Sequence, residues 1–313
     1  MHDADVLVIG GSGFLGRHLV AQLAARGARV TVPARRPERA RPLRILPTVE
    51  VLHADIGRRR TLMRLVRGRD VVINLAGILH GRRIRSRERG PNHYGPEFAR
   101  AHVELPLAIV AACREAGVKR LLHLSALGAA PDGPSEYLRS KGVGEQLMLA
   151  TEDLDVTIFR PSVIFGPGDN FLNLFARLAG ITPLLAVVCP DARFQPVYVG
   201  DVARACVAAV AERAAFGQGY DLCGPRVYTM KELVSYACRA SGKRRWVLGL
   251  PPGSSRALAS LLERLPGPFL SRDNIRSMSL ASVCTDCAQG TLPFGMRPTA
   301  LESVAPEYLA PHR

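Results

Sequence analysis

Short apolar runs alternate with helical periodicity along the first half of the chain. Val6 to Ile9 is a four-residue apolar run, the mark of a strand buried on both faces. From Phe14 to Arg26 the apolar residues Leu15, Leu19, Val20 and Leu23 recur at helical spacing. Ala28–Val32 and Val49–Leu52 read as the second and third strands, and Thr61–Val66 as a helix. Asp70–Leu75 carries Val71-Val72-Ile73 and reads as a fourth strand. One long helix is expected over Phe98–Ala116, a fifth strand over Val118–Leu124, a helix over Glu136–Ala150 and a sixth strand over Val156–Phe159. Strands alternating with helices pair in parallel, so the fold class is α/β, a Rossmann doubly wound parallel sheet.

After Pro161 the pattern loosens and proline and glycine become frequent. Val197–Val199 reads as a short strand and Asp201–Ala211 as a helix. Thr229-Met230-Lys231-Glu232 is a capping box that should open another helix. Arg256–Leu265 is amphipathic; it can pack on the core or lie on an anionic membrane. The expected organisation is a NAD(P)-binding Rossmann domain over 1–165, then a smaller C-terminal substrate-side lobe over 166–313, partly interleaved with the core.

Composition adds limits. The 313 residues are 47% hydrophobic and 22% charged, ordinary for a globular chain. No run approaches the ~18 apolar residues of a membrane span. The first residues lack the basic and apolar regions of a signal peptide, which points to a cytoplasmic protein. The net charge of +15 is carried by dispersed arginines, with runs at Arg58-Arg59-Arg60 and from Arg82 to Arg89. No nucleic-acid-binding motif accompanies it, so nucleic acid is not an expected partner; the charge reads as a solvated basic surface, with peripheral contact to the inner face of a membrane or to a membrane complex as the alternative. The seven dispersed cysteines read as reduced thiols. Cys284 and Cys287 form a lone CxxC with no second pair, and no metal site is expected.

Candidate chemistry begins at Gly10-Gly11-Ser12-Gly13-Phe14-Leu15-Gly16, between the first strand and the first helix. A tight turn needs positive φ, pyrophosphate needs a backbone without Cβ, and free N–H groups at the helix start favour anions. Gly10, Gly13, Phe14, Leu15 and Gly16 are therefore cofactor-binding candidates. The second strand runs into Pro33-Ala34-Arg35-Arg36 without the acid that usually holds a ribose 2′-hydroxyl. Arg35 and Arg36 can pair with a 2′-phosphate, which favours NADP(H) over NAD(H). Asp55 and Ile56 follow the third strand, where a carboxylate can accept from the adenine amino group. Leu75, Ala76 and Gly77 follow the fourth, where small residues let the cofactor pass.

Tyr137 and Lys141 form a YxxxK at a helix start, on one helix face. Lys141 can hold the nicotinamide ribose and lower the Tyr137 phenol, which would act as general acid/base. With Ser125 and Arg160-Pro161-Ser162, these motifs resemble extended and atypical short-chain dehydrogenase/reductases over nearly the whole chain. The resemblance implies Ser125 as a catalytic candidate and Pro161 as a cofactor contact. The usual catalytic hydroxyl, however, aligns with Ala126.

The segments Tyr137–Glu145, Arg160–Gly166, Asp169–Asn173 and Gln195–Val202 look like those of the nucleotide-binding accessory subunit of respiratory complex I and its bacterial relatives. This implies a bound NADPH and a membrane-associated or quinone-related setting. Three functions follow: an oxidoreductase on a quinone-like or isoprenoid small molecule, a non-catalytic assembly protein stabilised by its cofactor, or a sugar-nucleotide epimerase/dehydratase. The last needs polar groups for a nucleotide diphosphate in the C-terminal lobe, where Arg193, Arg226 and Lys231 could serve.

Overall fold

The computed structural model describes residues 3–81, 93–263, 270–285 and 291–310. The basic run at 82–89, Cys287 and the end of the 256–265 segment lie outside the described residues. The chain divides into two compact units, Met1–Arg160 with Gly200–Tyr220, and Pro161–Val199 with Asp221–Arg313.

In the first unit the strands are β1 (Asp5–Ile9), β2 (Arg29–Ala34), β3 (Val49–His53), β4 (Val71–Asn74), β5 (Arg120–Leu124) and β6 (Asp155–Pro161). The sheet order is β3-β2-β1-β4-β5-β6, the Rossmann order. A seventh strand, Gly219–Leu222, joins beyond β6. Sequence reading missed it because GYDL is short and mixed. Val6 to Ile9 and Val71 to Asn74 are all buried, which is why these strands read as continuous runs.

Register aligns the carboxyl ends. Ile9 pairs with Asn74, Asn74 with His123, Ala34 with His53, and Leu124 with Phe159. The candidate residues that follow β1 to β5 therefore emerge along one edge of the sheet.

Helices α1 (Phe14–Ala24), α2 (Arg59–Val66), α3 (Pro96–Ala99), α4 (Leu105–Ala116) and α5 (Glu136–Leu149) cross between the strands. Leu62, Leu65 and Val66 of α2 and Ile109, Val110 and Cys113 of α4 close a core with Leu7, Leu121 and Ile158. Helix α4 stops at Gly117, in the left-handed conformation at φ 75°. Ser135 caps α5, its hydroxyl accepting from the Leu138 N–H at 3.1 Å.

The single helix expected over Phe98–Ala116 is instead broken by a π turn at Arg100–Glu104. The reason lies in the sequence. Pro106 has no N–H, so the carbonyl four residues earlier, that of His102, loses its α-helical donor. Helix α5 uses the gap: a Cβ on Gly144 would collide with the His102 carbonyl oxygen.

In the second unit, parallel strands Leu184–Val187 and Trp246–Gly249 pack with helix Met230–Ala240 around Leu185, Val187, Val234 and Cys238. The predicted capping box is present, with Thr229 and Glu232 each bonding the other's backbone N–H. Helix Pro252–Leu262 buries Ser255 and Ala259 and leaves Leu261 61% exposed. The thiol reading needs correction: Cys223 and Cys284 form a disulfide across 61 residues. Buried Gln195 draws the two together, donating to the Gly224 carbonyl at 2.7 Å and accepting from the Cys284 N–H at 3.1 Å. Nothing local in the sequence pairs them.

Two glycines should respond oppositely to a methyl group. Gly144→Ala forces backbone apart and should cost about 2 kcal/mol or more. Gly180 sits in helix Leu172–Ile181 with nothing within 4 Å of the Cβ position, so Gly180→Ala should stabilise by about 0.5–1 kcal/mol. Urea unfolding of the two variants checks both signs.

Candidate functional site

The glycine loop is shaped by steric need at two positions. Gly10 has φ +85°, and a Cβ there would lie 3.0 Å from the Ala76 nitrogen. Gly16 packs the first turn of α1 so close that a Cβ would enter the Gly10 carbonyl. The Gly13 N–H donates to the Gly10 carbonyl at 3.0 Å, and Gly13 caps α1 without any side chain. Phe14 and Leu15 begin the helix, Leu15 buried. The loop thus offers bare backbone at a helix start, the cradle a pyrophosphate requires.

Around this cradle the candidates occupy the carboxyl edge. Arg35 and Arg36 stand exposed just past β2. The Asp55 carboxylate accepts from the Gly57 N–H at 3.1 Å and meets Arg58 at 3.6 Å; Ile56 is half-buried beside it. Leu75 and Ala76 are half-buried, and Gly77 is exposed. A Cβ on Gly77 would lie 3.2 Å from Lys141 Nζ and 3.5 Å from His102 Nε2.

Gly77 therefore opens onto a buried polar cluster on α5, the π turn and β5. Lys141 is 4% exposed and donates to the Leu124 carbonyl at 2.8 Å. Burial pulls its ammonium down to about 8, partly offset by Glu145. His102 joins three elements: its Nε2 accepts from the Ile78 N–H at 3.1 Å, and Nδ1 lies 2.8 Å from Ser140 Oγ. With Nε2 as acceptor, Nδ1 carries the hydrogen and donates to Ser140, whose hydroxyl donates to the Tyr137 carbonyl at 2.9 Å. Burial, then the charge of Lys141, pulls this imidazole down to about 2, so it is neutral.

His123 is held likewise. Asn74 Oδ1 accepts from the Ala76 N–H at 3.0 Å, so its amide nitrogen donates to His123 Nδ1 at 3.0 Å. His123 Nε2 then carries a hydrogen with no partner among the described residues. Burial pushes this imidazole well below its ordinary value. Ser125 is 3% exposed, and its hydroxyl is also without a partner among the described residues. Pro161, at the end of β6, is buried.

Tyr137 stands against His102 and Phe98, with ring centroids 5.6 Å and 6.4 Å away. Its phenol departs from the expectation. Burial pushes it up to about 12, whereas a lowering by Lys141 was expected. The Lys141 ammonium is directed to the Leu124 carbonyl instead. Sequence reading missed His102, His123 and Ser140. The only sequence sign was Pro106, four residues after His102.

A family model described as "NAD dependent epimerase/dehydratase family" matches residues 6–223. The chain belongs to this family. Membership carries nicotinamide-dinucleotide binding with it, and the residues fit such a ligand: Gly10 and Gly16 leave no room for a Cβ, and the buried Ser125 hydroxyl has no partner among the described residues. The chain is 32% identical over 317 residues to the rat protein "NADH dehydrogenase [ubiquinone] 1 alpha subcomplex subunit 9, mitochondrial", covering 98% of this chain and 80% of that one. A ceramide reductase of Caulobacter vibrioides is 38% identical over 204 residues, 65% of this chain and 60% of the reductase. Among solved structures, an NADPH-dependent quinone oxidoreductase of Escherichia coli, complexed with NADPH, shares the fold. Its TM-score is 0.72 at 19% identity, covering 96% of this chain and 98% of that one.

The two neutral histidines set an acid limit. Folded, His102 and His123 refuse protons that the unfolded chain accepts below about pH 6.5. Stability should therefore fall as pH drops through 6.5, by up to about 1.4 kcal/mol per pH unit for each imidazole. Urea unfolding between pH 7 and 5 should show this slope, and His102→Asn should lose about one proton's share of it. A flat wild-type profile would refute the assignment.

Proposed function

We propose that the chain binds NADP(H) and uses it as an oxidoreductase on an apolar carbonyl compound, quinone-like or isoprenoid. What carries the reading is the buried cluster under Gly77, where Lys141, Tyr137 and Ser125 meet the carboxyl edge that holds the glycine cradle. When bound, the reduced dinucleotide supplies the hydride. Tyr137 holds the proton that the carbonyl oxygen receives. Lys141, protonated below about pH 8, binds the ribose hydroxyls and stabilises the phenolate left behind. Ser125 supplies the polarising hydroxyl, since Ala126 has none. His102 keeps α5 attached to the Gly77 loop, so that Tyr137 and Lys141 keep their places. Arg35 and Arg36, free of any acid at the end of β2, receive the 2′-phosphate.

A second reading has its own support: a cofactor-holding protein that serves assembly with a membrane complex, as the name of the rat relative suggests. The phenol raised to about 12 favours it, because such a group gives up its proton reluctantly. The sugar-nucleotide alternative is weaker. Arg226, one of its candidate anion ligands, lies 3.9 Å from Glu302 and stacks over the Tyr228 ring.

Denaturing extraction followed by mass spectrometry should release stoichiometric NADPH or NADP⁺. Replacing Arg35 and Arg36 together with Ala should weaken NADPH about tenfold or more and NADH far less; equal losses would refute their role, as would unchanged affinity. Tyr137→Phe should lower carbonyl reduction by about 10²–10⁴-fold while NADPH affinity holds. A wild-type protein that retains NADPH yet turns over no quinone, isoprenoid or keto substrate supports the assembly reading instead.

A further inference from the structure

The second unit carries an apolar sheet face that stands exposed among the described residues. Strands Leu184–Val187 and Trp246–Gly249 pair in parallel, Trp246 beside Leu184 and Leu248 beside Ala186. Leu185, Val187 and Val247 point into the core. The alternate residues point out: Leu184 is 49% exposed, Leu248 54% and Trp246 81%. Ile181, just before the first strand, is 83% exposed. Parallel sheets normally have both faces covered, so an uncovered apolar face on one calls for an occupant.

The charge around the face says which. No Asp or Glu occurs between Asp169 and Asp191, or between Glu232 and Glu263. The same stretches carry Arg177, Arg239, Lys243, Arg244, Arg245 and Arg256. Lys243 and Arg244, three and two residues before Trp246, are exposed and have no ion pair among the described residues. Among the described residues no helix is long and apolar enough to cross a membrane. A flat apolar patch, an exposed indole and cations without counter-charges match the boundary of an anionic bilayer, where headgroups meet acyl chains.

We propose that this face, centred on Trp246 and Leu248 and rimmed by Lys243 and Arg244, docks on an anionic lipid surface. It does not rest on the reading of the cofactor site.

Trp246 is the chain's only tryptophan, so its fluorescence reports the face directly. Vesicles of equal parts phosphatidylcholine and phosphatidylglycerol should shift its emission to shorter wavelength and carry the full-length protein into the pellet. Lys243→Gln with Arg244→Gln should weaken that binding by about tenfold or more. Trp246→Ser with Leu248→Ser, read by sedimentation, should do the same. Both pairs are exposed, so thermal unfolding should be unchanged. Four results would overturn the proposal. The protein could fail to bind. It could bind without a change in Trp246 emission, which would put contact elsewhere. It could bind phosphatidylcholine vesicles equally well, which would remove the cations from the account. Or the emission could shift with protein concentration alone or with polyglutamate, which would assign the face to a second copy or an acidic protein.

Discussion

The approach of helix α5 to the π turn before α4 decides where the chemistry-bearing side chains stand. Pro106 withdraws the donor that would have engaged the His102 carbonyl, and Gly144 lets α5 come up to that oxygen. Tyr137 and Lys141 lie on the same helix, two turns or less before Gly144, so their depth is set by this contact. The His102 ring, emerging from the same turn, then links the Ile78 amide to Ser140. One missing N–H and one missing Cβ thus hold β4, the π turn and α5 in register. Close packing of this kind tolerates little change in volume, because the atoms that meet are backbone.

Three bases are buried together without an adjacent counter-ion for each. Burial, and after it the charge of Lys141, raises the cost of protonating His102 and His123, and the neutral imidazoles are the result. Glu145, four residues on along α5, favours the Lys141 charge, but its carboxylate is engaged by Arg160 at 2.6 Å. A site that keeps one cation and two neutral rings in low dielectric attracts electron-rich oxygen, such as ribose hydroxyls or a developing alkoxide. Burial likewise explains the raised phenol of Tyr137.

The second unit follows different physics. Its strands are short, its core is assembled from pieces distant in sequence, and a disulfide with a buried glutamine ties two of them. Carboxylates are absent from the stretches that build the exposed sheet face, so the basic residues there sit without acidic neighbours in sequence where apolar surface is also presented. Charge and exposed hydrophobicity together make a surface suited to association, whereas either alone would be ordinary.

Much of the first unit could be read from the chain itself. Buried parallel strands are continuous apolar runs, so β1, β4 and β5 were visible, as was the glycine loop, whose spacing reflects turn, phosphate and packing needs at once. YxxxK was visible because helical spacing puts both residues on one face. The capping box at Thr229 was visible because capping is local. What the sequence could not show were relations set by contacts across the fold. The seventh strand is too short and mixed to stand out. Cys223 and Cys284 meet where Gln195 bridges distant loops. His102 and His123 read as unremarkable residues, and become neutral, tautomer-defined parts of the site only when β4, β5 and α5 bury them together. The direction of the Tyr137 shift was misjudged for the same reason: spacing places Lys141 on the right face of the helix, but burial and the Leu124 carbonyl, both properties of the packed structure, determine what its charge does.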